Sequence, residues 1–240
     1  MALTLANRFR YSTLNTLVLR AGYGWGEVGT RGNVCTYTCS KDMKCPPSEI
    51  IPIKEIVSIR IQFCSGLDLA ETFLMLAKMP GVNRLQLKNC GVKELPPEIR
   101  ALASIVELDL SNEGDASLNE FTTFPPEFGS LKHLRNLELH HNSEFKKFPP
   151  EVAAMIGLNH IGLRGFHSLP ENIELFPNLK DLKLTFGGIV PKQILPLLDR
   201  PNGLKSVTVG EAYFKMFKEL STQYPNFSVT EEQTSLRGDY

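Results

Sequence analysis

The sequence predicts an α/β solenoid: one arc of stacked units with a concave parallel β-sheet and short convex helices. Three observations predict it. A Leu-x-x-Leu-x-Leu pattern recurs in register along the chain, and a Pro-Glu motif follows most copies at a fixed offset. The composition is that of an ordinary globular chain, 42% hydrophobic and 22% charged over 240 residues, with enough apolar material for an extended core.

The pattern begins at Leu14-Leu17-Leu19 and returns at Ile56-Ile59-Ile61, Val82-Leu85-Leu87 and Ile105-Leu108-Leu110. It continues at Leu134-Leu137-Leu139, Leu158-Ile161-Leu163, Leu179-Leu182-Leu184 and Leu204-Val207-Val209. From Ile56 the copies start about 21 to 29 residues apart, the period of one strand plus one return segment. Alternation inside each copy makes a strand with one apolar face.

The second motif reads Leu95-Pro96-Pro97-Glu98-Ile99, Phe124-Pro125-Pro126-Glu127-Phe128, Phe148-Pro149-Pro150-Glu151-Val152 and Leu169-Pro170-Glu171-Asn172-Ile173, with a degenerate copy at Cys45-Pro46-Pro47-Ser48-Glu49-Ile50. Proline suits the first turn of a helix, where its missing N–H bonds nothing anyway. Together the two motifs resemble the leucine-rich-repeat family, in particular its Ras-group "LPPEI" type, across about residues 14–229. That resemblance implies a right-handed horseshoe arc and a protein-recognition role without chemistry.

The departures carry information. The family places Asn or Cys at the ninth repeat slot, where the side chain bonds turn backbone. Here the slot holds Cys64, Cys90 and Asn142, but Glu113, Phe166, Gly187 and Ala212 elsewhere, which predicts an incomplete ladder. The Leu14 and Ile56 copies lie 42 residues apart. The β-branched alternation in that gap predicts a hairpin, near 22–45, projecting from the arc. A smaller insertion is expected over 113–123. Helical spacing predicts outer helices at Asp68–Met79, Pro191–Leu198 and Glu211–Leu220, with a stripe such as Phe73, Leu76 and Ala77 turned inward. The last helix should cap the open end of the stack, leaving a polar tail over 230–240. The whole chain, 1–240, reads as one domain.

Lys plus Arg equals Asp plus Glu at 26 each. A neutral chain lacks the electrostatic footprint of a nucleic-acid or membrane-surface binder. Five cysteines without an export-type leader point to free thiols in a reducing, cytoplasmic setting.

Catalytic patterns do not close. Gly24-Trp25-Gly26-Glu27-Val28-Gly29 matches a dinucleotide fingerprint, but no helix start follows to hold a pyrophosphate. Cys35, Cys39 and Cys45 lack zinc spacing and a nearby histidine. All five histidines lie between His133 and His167. His140 and His160 sit at opposite ends of neighbouring strands, which at about 3.3 Å per residue separates them by about 13 Å. The expectation is a protein with no catalytic residues, no metal and no cofactor.

Function should then lie on the outward columns of the concave sheet. Arg60, Arg84 and Lys88 predict a basic patch, Glu107, Asp109 and Glu138 an acidic centre, and His140, Arg164 and Lys183 a mixed end. Charge segregated by sign steers an oriented protein partner. Trp25 in the hairpin is the added aromatic anchor. The chain is expected to be a monomer alone, acting as adaptor, scaffold or inhibitor; the alternative is the recognition part of a larger catalytic or immune system.

Overall fold

The computed structural model describes residues 20–21, 24–25, 27–31, 34–38, 51, 56–113 and 118–232. The Leu14 copy, the Cys45 motif and the tail beyond Glu232 lie outside them. Two short strands, β1 (Arg20–Ala21) and β2 (Gly24–Trp25), form an antiparallel pair of their own. Ten strands make the main sheet, ordered consecutively from β3 (Glu27–Arg31) to β12 (Ser228–Glu232). Only β3 runs antiparallel; from β4 (Val34–Thr38) onward every neighbour is parallel. The fold is a leucine-rich-repeat solenoid.

The register shows why. Ile59 (in β5, Ser58–Gln62) aligns with Leu85 (β6, Arg84–Lys88), which aligns with Leu108 (β7, Glu107–Asp109). The row continues through Leu137 (β8, Asn136–Glu138) and Ile161 (β9, His160–Gly162) to Leu182 (β10, Asp181–Leu184) and Val207 (β11, Ser206–Gly210). All seven are at most 1% exposed. A one-residue slip anywhere would turn such a row to solvent, so the buried face fixes the register.

The hairpin forms, but it does not project. Glu27–Arg31 pairs antiparallel with Val34–Thr38, and the latter pairs parallel with Ser58–Gln62. Residues 34 and 58 are one repeat period apart, so β4 is itself a repeat strand. Cys35 and Tyr37 align with Ile59 and Ile61, and their identity hides the strand from a search for leucines. No helix opens after Gly26; the chain continues directly as β3. At the other end β12 runs to Glu232, past the expected start of the tail, and packs beside the closing helix.

The convex side has two kinds of return, α-helices toward the ends and 3₁₀ turns in the middle. True α-helices occur as α1 (Leu69–Leu76), α2 (Pro191–Leu198) and α3 (Glu211–Lys218), with a short α4 (Leu220–Gln223). Asp68 caps α1 by accepting from the Glu71 N–H at 2.9 Å. Phe73 and Leu76 are buried as expected, whereas Ala77 at the C-cap is exposed. The Pro-Pro-Glu segments instead make single 3₁₀ turns over Pro97–Ala101, Pro126–Ser130 and Pro150–Ala154, each with proline at the first position. Phenylalanine fills the space beneath: the Phe124 ring centroid lies 4.5 Å from that of Phe128 and 4.6 Å from that of Phe145, both tilted, and Phe148 meets Phe176 edge-to-face at 4.9 Å.

The polar ladder is more complete than the ninth slot suggests. Asn142 Nδ2 donates to the carbonyls of Leu110 and Leu139 at 3.0 and 3.1 Å, tying its own strand to the previous one. Asn119 Nδ2 does the same for Leu87 and Leu110, at 2.8 and 3.3 Å, while its Oδ1 accepts from the N–H groups of Cys90 and Val92. Asn119 therefore fills the rung expected at Glu113. The insertion begins one residue early, at Asn112, whose side chain both donates to and accepts from the Asn119 backbone. Cys90 supplies another rung, its thiol 3.3 Å from the Lys88 carbonyl, and burial pushes that thiol up to about 11. Cys64 is disulfide-bonded, so the expectation of free thiols fails there.

Asn119→Ala should remove the side-chain partner of the Leu87 carbonyl and of the Cys90 and Val92 N–H groups, at about 1–3 kcal/mol for each that water does not reach. Leu137→Ala should cost about 2–5 kcal/mol through its cavity. Urea unfolding measures both, and a cost for Asn119→Ala no greater than that of a surface substitution would remove the rung assigned to it.

Candidate functional site

Each strand turns its third, fifth and seventh repeat positions out of the concave face, and parallel register lines these up across about 4.8 Å. The predicted charges are where the sequence placed them, but they are not segregated. Arg84 aligns with Glu107, and their side chains pair at 3.0 Å. Lys88 pairs with Asp109 at 3.3 Å and also with Glu113. Burial alone would lower the Lys88 ammonium; the two carboxylates outweigh it and hold it above its usual range. Arg60 donates to Gln86 Oε1 at 2.6 Å, and Gln86 Nε2 donates on to Asp109 at 3.2 Å. The expected basic patch and acidic centre are thus one mesh spanning β5 to β7. Opposite charges on adjacent strands stand closer to each other than to any partner, so they neutralise locally.

The middle of the face corrects a distance. His140 and His160 were expected too far apart to share a group, and Glu138 brings them to one. His160 Nε2 lies 3.1 Å from Glu138 Oε1, and His140 Nε2 lies 3.0 Å from Oε2. The strand offset is real, but the carboxylate stands midway between the two rings and each ring leans toward it. Gly162 makes this possible: a Cβ there would sit 1.7 Å from Glu138 Oε2 and 2.6 Å from the His140 ring. The Arg164 N–H donates to His140 Nδ1 at 3.1 Å, which leaves the His140 proton on Nε2. Burial would raise the Glu138 carboxyl, yet the two histidines hold it down at about 2.

Beyond β9 the character changes. Lys183 pairs with Glu232 at 2.6 Å, while the Arg164 guanidinium lies 4.3 Å over the Phe186 ring. Thr185, between them, is fully buried on a face expected to be solvated. Trp25 lies in β2, whose backbone pairing does not join the sheet that carries seven of the other nine predicted residues, His140 and Arg164 standing in the turns after β8 and β9.

Gln86, Glu232 and Phe186 belong to the surface and are not among the predicted site residues. Gln86 was legible as an outward position but carries no charge. Glu232 falls on an unforeseen strand. Phe186 is hidden for another reason: it occupies the eighth slot, where the turn after the strand repeatedly adopts positive φ. Phe63, Asn89, His141, Gly165 and Phe186 all do so, at 53–83°. Glycine and asparagine tolerate that conformation; phenylalanine does not favour it, and here it leaves Phe63 47% and Phe186 53% exposed. Among the described residues no group of three or more His, Cys, Asp or Glu side chains is arranged to hold a metal ion, and no helix is long and apolar enough to cross a membrane.

No family model matches the chain. A 77-residue stretch, 32% of the chain, is 34% identical to the volume-regulated anion channel subunit LRRC8D of human, rat and mouse, covering 8% of those proteins. Among solved structures, a leucine-rich-repeat protein of Leptospira interrogans superposes with a TM-score of 0.53 at 21% identity, over 79% of this chain and 52% of that one. The chain thus spans under a tenth of the curated relatives and about half of the structural neighbour. The shared feature is the repeat fold.

A depressed carboxyl stabilises the fold above its unfolded pKa and loses that contribution as pH falls through the folded value. The contribution of Glu138 should therefore decline between pH 4.5 and about 2. Melting curves of Glu138→Gln should fall less steeply across that window than those of the parent. Parallel curves would mean that the two histidines do not hold the carboxylate in solution.

Proposed function

We propose that the chain is a protein-recognition module, without catalysis or cofactor, that binds a protein partner across its concave face. The observation that carries this is the mesh itself. Arg60, Gln86, Asp109, Lys88, Arg84 and Glu107 hold one another in fixed geometry, so a partner meets side chains that are already ordered and spends little entropy in arranging them. The groove above them is open and lined by charged and amide groups. That is a setting for another protein's polar surface and not for a small apolar ligand. The "LPPEI" segments support the Ras-group type of repeat, in which short 3₁₀ returns on the convex side leave the strand face as the recognition surface. We read the role as adaptor, scaffold or inhibitor, monomeric by itself. The disulfide at Cys64 removes the free-thiol argument for a cytoplasmic setting.

A second reading, the recognition portion of a larger system, is favoured by one observation. The curated relatives carry the matched stretch as 8% of a much longer chain.

The test is affinity capture with this chain, identification of the bound protein by mass spectrometry, and association kinetics on the pair. Arg84→Glu with Lys88→Glu should slow association at least several-fold, more at low salt than at high, because reversal leaves Glu107, Asp109 and Glu113 unopposed. Unchanged rates in that variant together with loss of binding in Trp25→Ala would move the site off the concave face.

A further inference from the structure

The last strand is held differently from those before it. Each strand from β5 to β11 buries at least one of its own residues. β12 buries none: Ser228, Thr230 and Glu231 are exposed, and Val229 and Glu232 are half-buried. It pairs with β11 on one side and ends the sheet on the other. A segment held at an edge mainly by backbone pairing opens locally before the core does.

Two side chains pin its ends. Phe227, just ahead of it, is buried in the core. At the far end Glu232 reaches past β11 to Lys183 on β10, 2.6 Å away. Every other ion pair between strands of the described sheet joins immediate neighbours: Arg84 with Glu107, Lys88 with Asp109, His160 with Glu138. Glu232 alone skips a strand. It aligns with Gly210, which presents no side chain and follows Val209, the partner of Leu184. The row therefore runs from Glu232 across Gly210 to Thr185, an outward position that is nonetheless fully buried. Burial would raise the Glu232 carboxyl; Lys183 and the charge of Arg164 outweigh it and hold it below its usual range. With side chains only 24% and 30% exposed, the pair is screened less than one in open solvent.

We propose that β12 is a strap over the end of the concave face, with Glu232 as its latch. Closed, it lays a carboxylate against Lys183 and covers Thr185. Open, with the chain hinging after Phe227, it leaves the β11 edge unpaired and returns Lys183 and Thr185 to the face. The latch is ionic and the hinge is apolar, so the strap opens without the core.

Hydrogen–deuterium exchange on the intact chain, resolved by mass spectrometry, tests this. Glu232→Gln and Lys183→Met should each speed exchange of the 228–232 amides tenfold or more, and the double variant should go no faster than either. Amides of β8 and β9 should keep the parent's rates, and Glu231→Gln, at the exposed neighbour, should leave β12 as it is. Glu232→Gln preserves the shape of the side chain and carries the test by itself where Lys183→Met fails to fold. β12 exchange that is unchanged in Glu232→Gln overturns the latch. An equal acceleration in β8 and β9 overturns the strap, because Glu232 would then support the whole sheet. Glu231→Gln acting as strongly as Glu232→Gln also overturns the latch, and β12 amides unprotected in the parent overturn the closed state.

Discussion

Parallel pairing at a fixed lateral spacing governs this molecule. Once Ile59, Leu85, Leu108, Leu137, Ile161, Leu182 and Val207 share a buried row, every other position follows. Inward slots build the core, turn slots repeat a left-handed residue, and outward slots form columns whose members have no choice of neighbour. The concave chemistry is therefore decided two strands at a time. An aspartate is not acidic surface here if a lysine or glutamine stands on the adjacent strand, as at Asp109.

The repeat architecture was legible in the sequence because period and alternation are local properties. The strands from β5 to β11, α1, α2, α3 and the proline-led turns can all be placed from spacing. Strand β4 escaped because Cys35 and Tyr37 stand in leucine slots. The hairpin of which β4 is half was read as a protrusion for the same reason. Asn119 escaped because an insertion moved the ladder residue off its slot, although the slot's chemistry was unchanged. In each case the physical role was kept while the residue or its spacing was altered.

The candidate site was legible as a set of residues and illegible as a set of interactions. Seven of the nine concave residues singled out from the sequence lie on strands, while His140 and Arg164 stand in the turns after β8 and β9. What spacing could not convey is how long side chains lean. Glu138 reaches into the space left by Gly162 and gathers two histidines that strand geometry holds apart. Glu232 is aligned with Gly210 in the register and its carboxylate is found on Lys183. Gly162 thus acts by what it lacks, admitting the Glu138 carboxylate into the plane of the sheet.

The reciprocal clamp between Asn112 and Asn119 has a bearing on how such a chain can diversify. Because the Asn112 side chain grips the Asn119 backbone at both its N–H and its carbonyl, the two ends of the intervening segment are stitched together independently of what lies between them. Closing a longer loop costs only about 0.6 kcal/mol for each doubling of length. Residues could thus be gained or lost there without disturbing the strands on either side. The clamp makes this rung a graft point: a place where new recognition elements can be spliced beside the concave face while the frame that presents them stays the same.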